Sequence, residues 1–161
     1  MAESILIDSS LSTPEKYSQL GDQLAALVSY ETDRIANMAN VCAVLKEKFS
    51  WLWVGFYRVE ESTLILGPFQ GPLACTRIPK NKGVCGACWS TVKTIYVPNV
   101  DEFEGHIACS SSSKSELVLP VLDAEGKVKL VLDIDSSELA GFSQDDITGL
   151  ENILTKIGPW I

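Results

Sequence analysis

No apolar run approaches the length of a bilayer span, which excludes a membrane-spanning helix. The first residues lack a basic start and a long apolar segment ahead of a cleavage site. The last residues, Gly158-Pro159-Trp160-Ile161, match no lipidation or retention signal. These ends predict a cytoplasmic protein. Basic charge is scarce: 13 Lys and Arg stand against 21 Asp and Glu, a net charge of −8. Such a field repels phosphate, so neither nucleic acid nor an anionic membrane surface is expected as a partner. The 161 residues show no internal repeat and no linker, and one domain over 1–161 is expected. Histidine occurs once, at His106. A lone histidine can ligate a metal, orient a loop or cap a turn, and sequence alone does not make it a general base.

What is present is a pattern of helices and short strands. Thr13-Pro14 reads as a helix start, followed by Tyr17, Leu20, Leu24 and Leu27 at helical spacing. A second helix over about Glu31 to Phe49 carries a seam of Ile35, Met38, Cys42, Leu45 and Phe49. Trp51 to Tyr57 alternates as a strand, with Trp51, Trp53, Gly55 and Tyr57 on one face. Thr63 to Leu66, Thr94 to Val97, Leu117 to Leu122 and Val128 to Ile134 read as further strands. Val84 to Lys93 reads as a short helix, and Ser143-Gln144-Asp145-Asp146 as a capping box opening a last one. Residues 68–83 and 98–115 are long connections rich in proline, glycine or small polar residues, and loops of that length usually carry function. The order predicts an α+β fold, a central antiparallel sheet with helices packed mainly on one side.

The five cysteines are an odd number, so disulfides cannot pair them all. Cys42 lies in the apolar seam of a helix and reads as core. Cys75, Cys85, Cys88 and Cys109 lie in or beside the two long connections. Three chemistries fit these four. The first is thiol redox catalysis, in which one thiolate attacks and another resolves. The second is zinc, with Cys85-x-x-Cys88 and His106-x-x-Cys109 as ligand pairs, although a second clean Cys-x-x-Cys is missing. The third is small residues packed in loops. Asp133 and Asp135 alternate onto one strand face, and Glu116 lies on a neighbouring strand. They make either an acidic pocket floor, able to hold an ammonium or to keep one carboxyl protonated, or a solvated sheet edge. Trp53 and Tyr57 share a face and either line a pocket or pack the sheet.

Several ordered blocks are similar to one family. They are Gly67-Pro68-Phe69-Gln70-Gly71-Pro72-Leu73-Ala74-Cys75, Ile78-Pro79 leading to Gly83-Val84-Cys85-Gly86, and Gly105-His106-Ile107-Ala108-Cys109. Ser115-Glu116-Leu117-Val118-Leu119-Pro120 and Leu132-Asp133-Ile134-Asp135-Ser136 complete the set. Together, from about Trp51 to the last helix, they resemble the free methionine-(R)-sulfoxide reductases, which use a GAF fold. The resemblance implies that Cys109 attacks the sulfoxide sulfur, that Cys75 resolves the resulting sulfenic acid as a disulfide, and that Cys85 takes part in recycling. It implies that Glu116, Asp133 and Asp135 bind the substrate ammonium and polarise the sulfoxide oxygen, and that Trp53 and Tyr57 enclose the methyl end. Thioredoxin is the implied reductant, a homodimer the implied assembly, and no cofactor or metal is expected. Cys88, Ser110 and Lys114 depart from the family pattern. A non-catalytic GAF module that binds a small ligand or senses redox state, and a structural zinc protein, are the competing expectations.

Overall fold

The computed structural model describes residues 4–107 and 111–161. Helix α1 (Thr13–Ser29) opens one residue earlier than its Thr-Pro signal, because Ser12 closes the cap. The Ser12 N–H and Oγ both donate to Glu15 Oε2, at 2.9 and 2.6 Å. Helix α2 (Arg34–Phe49) starts later than Glu31, at the point where the Asp33 side chain accepts from the Ala36 N–H at 3.0 Å. Its buried stripe is Met38, Val41, Cys42 and Leu45, while Ile35, expected in that seam, is 52% exposed. The reason is Asn37, whose buried Nδ2 lies 3.0–3.1 Å from the carbonyls of Val28, Glu31 and Trp160. Two residues on a helix stand about 200° apart, so turning Asn37 inward sends Ile35 outward.

Six antiparallel strands follow: β1 (Trp53–Glu60), β2 (Thr63–Gln70), β3 (Arg77–Pro79), β4 (Ile95–Val97), β5 (Ser115–Leu122) and β6 (Val128–Ser136). Their order across the sheet is β3-β2-β1-β6-β5-β4. Helix α3 (Gly83–Thr91) interrupts them, and α4 (Gln144–Ile157) closes the chain. The Ser143 cap of α4 is closed by Asp146, as the sequence predicts. The short strand β3 sits inside the first long connection, where its single buried residue, Ile78, gives no alternation to read.

Alternation gives the sheet two faces. One carries Val54, Phe56, Leu117, Leu119, Leu130, Leu132 and Ile134 against α1, α2 and α4. Trp51 joins this side rather than that of Trp53. It precedes the paired part of β1 and stacks on Phe49, with ring centroids 4.3 Å apart. Cys42 is fully buried here, its Sγ 3.3 Å from the Pro68 carbonyl, and burial pushes its thiol up to about 12. The other face carries Trp53, Tyr57, Val118 and Val131, covered by Val84, Cys85, Cys88 and Trp89 of α3. Three helices therefore pack on one side and α3 on the other, the α+β plan expected.

Gly55 lies against the Trp53 ring, which stacks on Phe69 with centroids 5.3 Å apart. A Cβ there would lie 2.3 Å from the Trp53 ring and 2.5 Å from Phe69 Cβ. Gly55→Ala is therefore expected to destabilise the protein by about 1–3 kcal/mol, the usual cost of overpacking. A lowered urea midpoint at unchanged slope would report it, and a wild-type midpoint would refute this packing.

Candidate active site

Strand pairing assembles the acids. Glu116 on β5 stands opposite Asp135 on β6, and Val118 opposite Asp133. On its other side β6 pairs with β1, with Trp53 opposite Asp135 and Gly55 opposite Asp133. Glu116, Asp133, Asp135, Trp53 and Tyr57 thus share one face of three adjacent strands. They line a cleft enclosing about 550 Å³ of space, part of it open to solvent, together with Cys85, His106, Ser113 and Lys82. The solvated-edge alternative for the acids is set aside by burial: Glu116 is 6% and Asp133 7% exposed.

Burial with no lysine or arginine partner among the described residues makes ionisation costly. Desolvation pushes the Glu116 carboxyl well above the usual range, and the neighbouring Asp135 charge adds to it. Asp133 is pushed up by burial, then by Glu116 and Asp135. Asp135 is raised by burial too, but the Ser113 hydroxyl and the His106 ring act against the rise. Ser113 Oγ donates to Asp135 Oδ1, and His106 Nε2 lies 3.2 Å from Glu116 Oε2. Asp133 Oδ1 is buried with no hydrogen-bond partner among the described residues. A cleft with these properties accepts cationic groups and holds protons.

The thiols divide. Cys85 lines the cleft from the first turn of α3. Burial pushes its thiol well up, and Asp133 and Glu116 add to that. Its Sγ and one oxygen each from Glu116 and Asp133 lie within 4.8 Å of one another, a set able to take a metal ion. Cys88 is fully buried beside Trp89, outside the cleft lining, and burial pushes its thiol to about 12. The Cys-x-x-Cys spacing therefore does not present two thiols to the cleft. Cys75 is half-buried in the connection after β2. Cys109 lies outside the described residues.

The aromatic pair does more than line the cleft, which sequence alone could not show. The Trp53 Nε1–H donates to the Pro72 carbonyl at 3.1 Å, and the Tyr57 hydroxyl to the Cys75 carbonyl at 2.9 Å. Both side chains rise from β1 and hold the connection that carries Cys75 over the cleft. Gly71 permits that close path: its φ is +140°, and a Cβ would lie 2.6 Å from the Trp53 ring.

The acids also set a stability dependence on pH. A carboxyl whose folded pKa is raised binds its proton more tightly in the fold than in the unfolded chain. Stability is then full below the unfolded values, 3.8 for Asp and 4.5 for Glu, and falls as pH rises through the folded ones. Asp133→Asn removes one of the interacting charges. It is expected to raise Tm at neutral pH by about 2–4 °C per kcal/mol of repulsion relieved, and to flatten the decline as pH rises above the unfolded carboxyl values. Parallel wild-type and variant melts across that range would refute the charge burial described.

Comparison with known proteins places the chain. Residues 31–160 match the GAF domain family. The chain is 52% identical over 158 residues to GAF domain-containing protein A of Dictyostelium discoideum, covering 98% of this chain and 96% of that one. It is 40% identical over 144 residues to the free methionine-R-sulfoxide reductase of Escherichia coli (strain K12), covering 89% and 87%. Among solved structures it resembles the free methionine-R-sulfoxide reductase of Neisseria meningitidis in complex with its substrate. That likeness has a TM-score of 0.90 and 44% identity over 97% of this chain and 95% of the other.

Proposed function

Because the chain belongs to the GAF-domain family of free methionine-(R)-sulfoxide reductases, we propose that it reduces free L-methionine-(R)-sulfoxide to methionine by thiol chemistry in this cleft. The observation that carries the reading is the acid floor, buried Glu116 and Asp133 with half-buried Asp135, beside an aromatic wall and a thiol-bearing connection. A sulfoxide oxygen leaves poorly until it is protonated or strongly hydrogen-bonded. Glu116 and Asp133, whose ionisation burial opposes, are the groups suited to hold that proton. Asp135, held by Ser113, is the carboxylate suited to the substrate ammonium. Lys82 and the first residues of α3 line the cleft, and their cationic and N–H groups are suited to the substrate carboxylate. Trp53 and Tyr57 form the apolar wall for the methyl end.

The chemistry then balances in three steps. The Cys109 thiolate attacks the sulfoxide sulfur as the oxygen takes a proton from the acid floor. On collapse of that adduct the substrate S–O bond breaks, the hydroxyl passes to the Cys109 sulfur as sulfenic acid, and methionine leaves with the electron pair. The Cys75 thiol displaces water from that acid and forms a Cys75–Cys109 disulfide. A dithiol protein of the thioredoxin type reduces the disulfide by exchange, with Cys85 as an internal relay thiol. The whole chain 1–161 acts as one catalytic domain, in the cytoplasm, as a homodimer and without a cofactor.

Two outcomes test this. NADPH oxidation coupled through thioredoxin and its reductase is expected with the free R-sulfoxide, and not with the free S-sulfoxide or a peptide-bound sulfoxide. No turnover with any substrate, repeated with dithiothreitol as reductant, would overturn the reaction in favour of a ligand-binding module. Cys109→Ser is expected to lower kcat by at least about 10³-fold, the scale of losing a nucleophile, while Cys42→Ser keeps near wild-type turnover. Full activity in the Cys109 variant would move the attacking role elsewhere.

A further inference from the structure

Cys85 Sγ and a carboxylate oxygen from each of Glu116 and Asp133 converge within 4.8 Å of one another, from α3, β5 and β6. All three side chains are buried. We propose that this trio binds a thiophilic divalent cation, Zn²⁺ above all, and that the bound ion inhibits the enzyme by occupying the substrate's place on the acid floor. The inhibitory half rests on the reaction proposed above; the binding half does not.

The donor set fits. Zn²⁺ takes thiolate sulfur at about 2.3 Å and carboxylate oxygen at about 2.0–2.2 Å in a tetrahedron whose fourth corner is free for water. Donors already within 4.8 Å of one another reach such spacing by small side-chain rotations. Independently of the clustering, Asp133 Oδ1 is buried in the cleft wall with no hydrogen-bond partner among the described residues. An orphaned buried acceptor carries an unmet desolvation cost, which a cation would relieve. A dication offsets three like-charged ligands better than a singly charged ammonium does. The sulfur donor selects Zn²⁺ or Cd²⁺ over Mg²⁺ and Ca²⁺, which prefer oxygen alone. His106, 3.2 Å from Glu116 Oε2, is placed to orient that ligand from outside. Binding transfers no electrons: the Cys85 proton, and any proton held by Glu116 or Asp133, passes to water as the donors take up the ion.

This differs from the zinc reading of the sequence. Cys88 is absent from the set, so the Cys-x-x-Cys pair is not the motif. The ion would occupy a site in a fold already held by its core, rather than hold the fold together.

Co²⁺ is the probe, added to the metal-free, phosphine-reduced full chain. One equivalent is expected to give a sulfur-to-cobalt charge-transfer absorption. Zn²⁺ should displace it and Mg²⁺ should not. The band is expected to vanish in Cys85→Ser and to persist in Cys88→Ser. Asp133→Asn keeps the thiol and guards against misfolding of the cysteine variant. It should weaken Co²⁺ by more than about tenfold, at least the loss seen when a ligand's outer partner is removed. In turnover assays Zn²⁺ should raise the apparent KM for the sulfoxide. A band that survives Cys85→Ser, or no band in a protein that turns over the sulfoxide, would overturn the cation site and leave the reaction standing. A Cys85-dependent band in a protein that turns over no sulfoxide would keep the binding site, overturn its inhibitory role and remove the reaction.

Discussion

Glu116 and Asp135 face each other across β5 and β6, and Asp133 lies two residues along the same face. Three carboxyls so placed, mostly out of water, repel one another in their ionised forms and lose hydration as well. Nothing among their described partners is a lysine or arginine. The contacts they have are a serine hydroxyl, a histidine ring, a thiol and each other. The fold accordingly spends stability at this point, and other parts of the chain must offset it.

The offset is visible on the opposite face of the same strands. Leu117 and Leu119 flank Val118, and Leu132 and Ile134 flank Asp133, all four leucine and isoleucine side chains fully buried against the three helices. Each such side chain contributes roughly 1.5–3 kcal/mol by leaving water. Strand alternation thus couples the two requirements residue by residue: every step that sends an acid into the cleft sends an apolar neighbour into the core. Site and core are therefore not separate regions that can vary independently. A one-residue slip of β6 would bury its acids among the helices and empty the core face, so the register is specified from both sides.

The sequence carried the parts of this that depend on periodicity. Asp133 and Asp135 alternate visibly between Leu132 and Ile134, and the α4 cap reads directly from Ser143 and Asp146. The α+β order and the role of Cys42 follow from the same kind of pattern. Other features depend on a single long-range contact and were not legible. Asn37 reaches Trp160, more than a hundred positions away, and this turns Ile35 outward. Trp51 looks like a member of the β1 alternation and instead stacks on Phe49 before pairing begins. Whether Cys88 stands with Cys85 is decided by the rotation of α3 against the sheet, which spacing does not encode. The convergence of Cys85 with Glu116 and Asp133 joins α3 to the β5–β6 pair, and no local motif announces it.

One arrangement serves several demands because each is a demand for positive charge or a proton in a dry place. An ammonium, a proton bound for a leaving oxygen and a soft dication all lower the same electrostatic cost. Charge alone cannot separate them, so discrimination falls to the surroundings. Trp53 and Tyr57 admit an apolar tail on one side, and their hydrogen bonds to Pro72 and Cys75 limit how far the overlying connection can rise. A ligand that satisfies the acids without filling the aromatic wall gains only the electrostatic part. A ligand with both an ammonium and a thioether-sized end gains both. Under the proposed reaction, the geometry of the wall is what selects a small free amino acid, and the acids are what supply affinity and the proton.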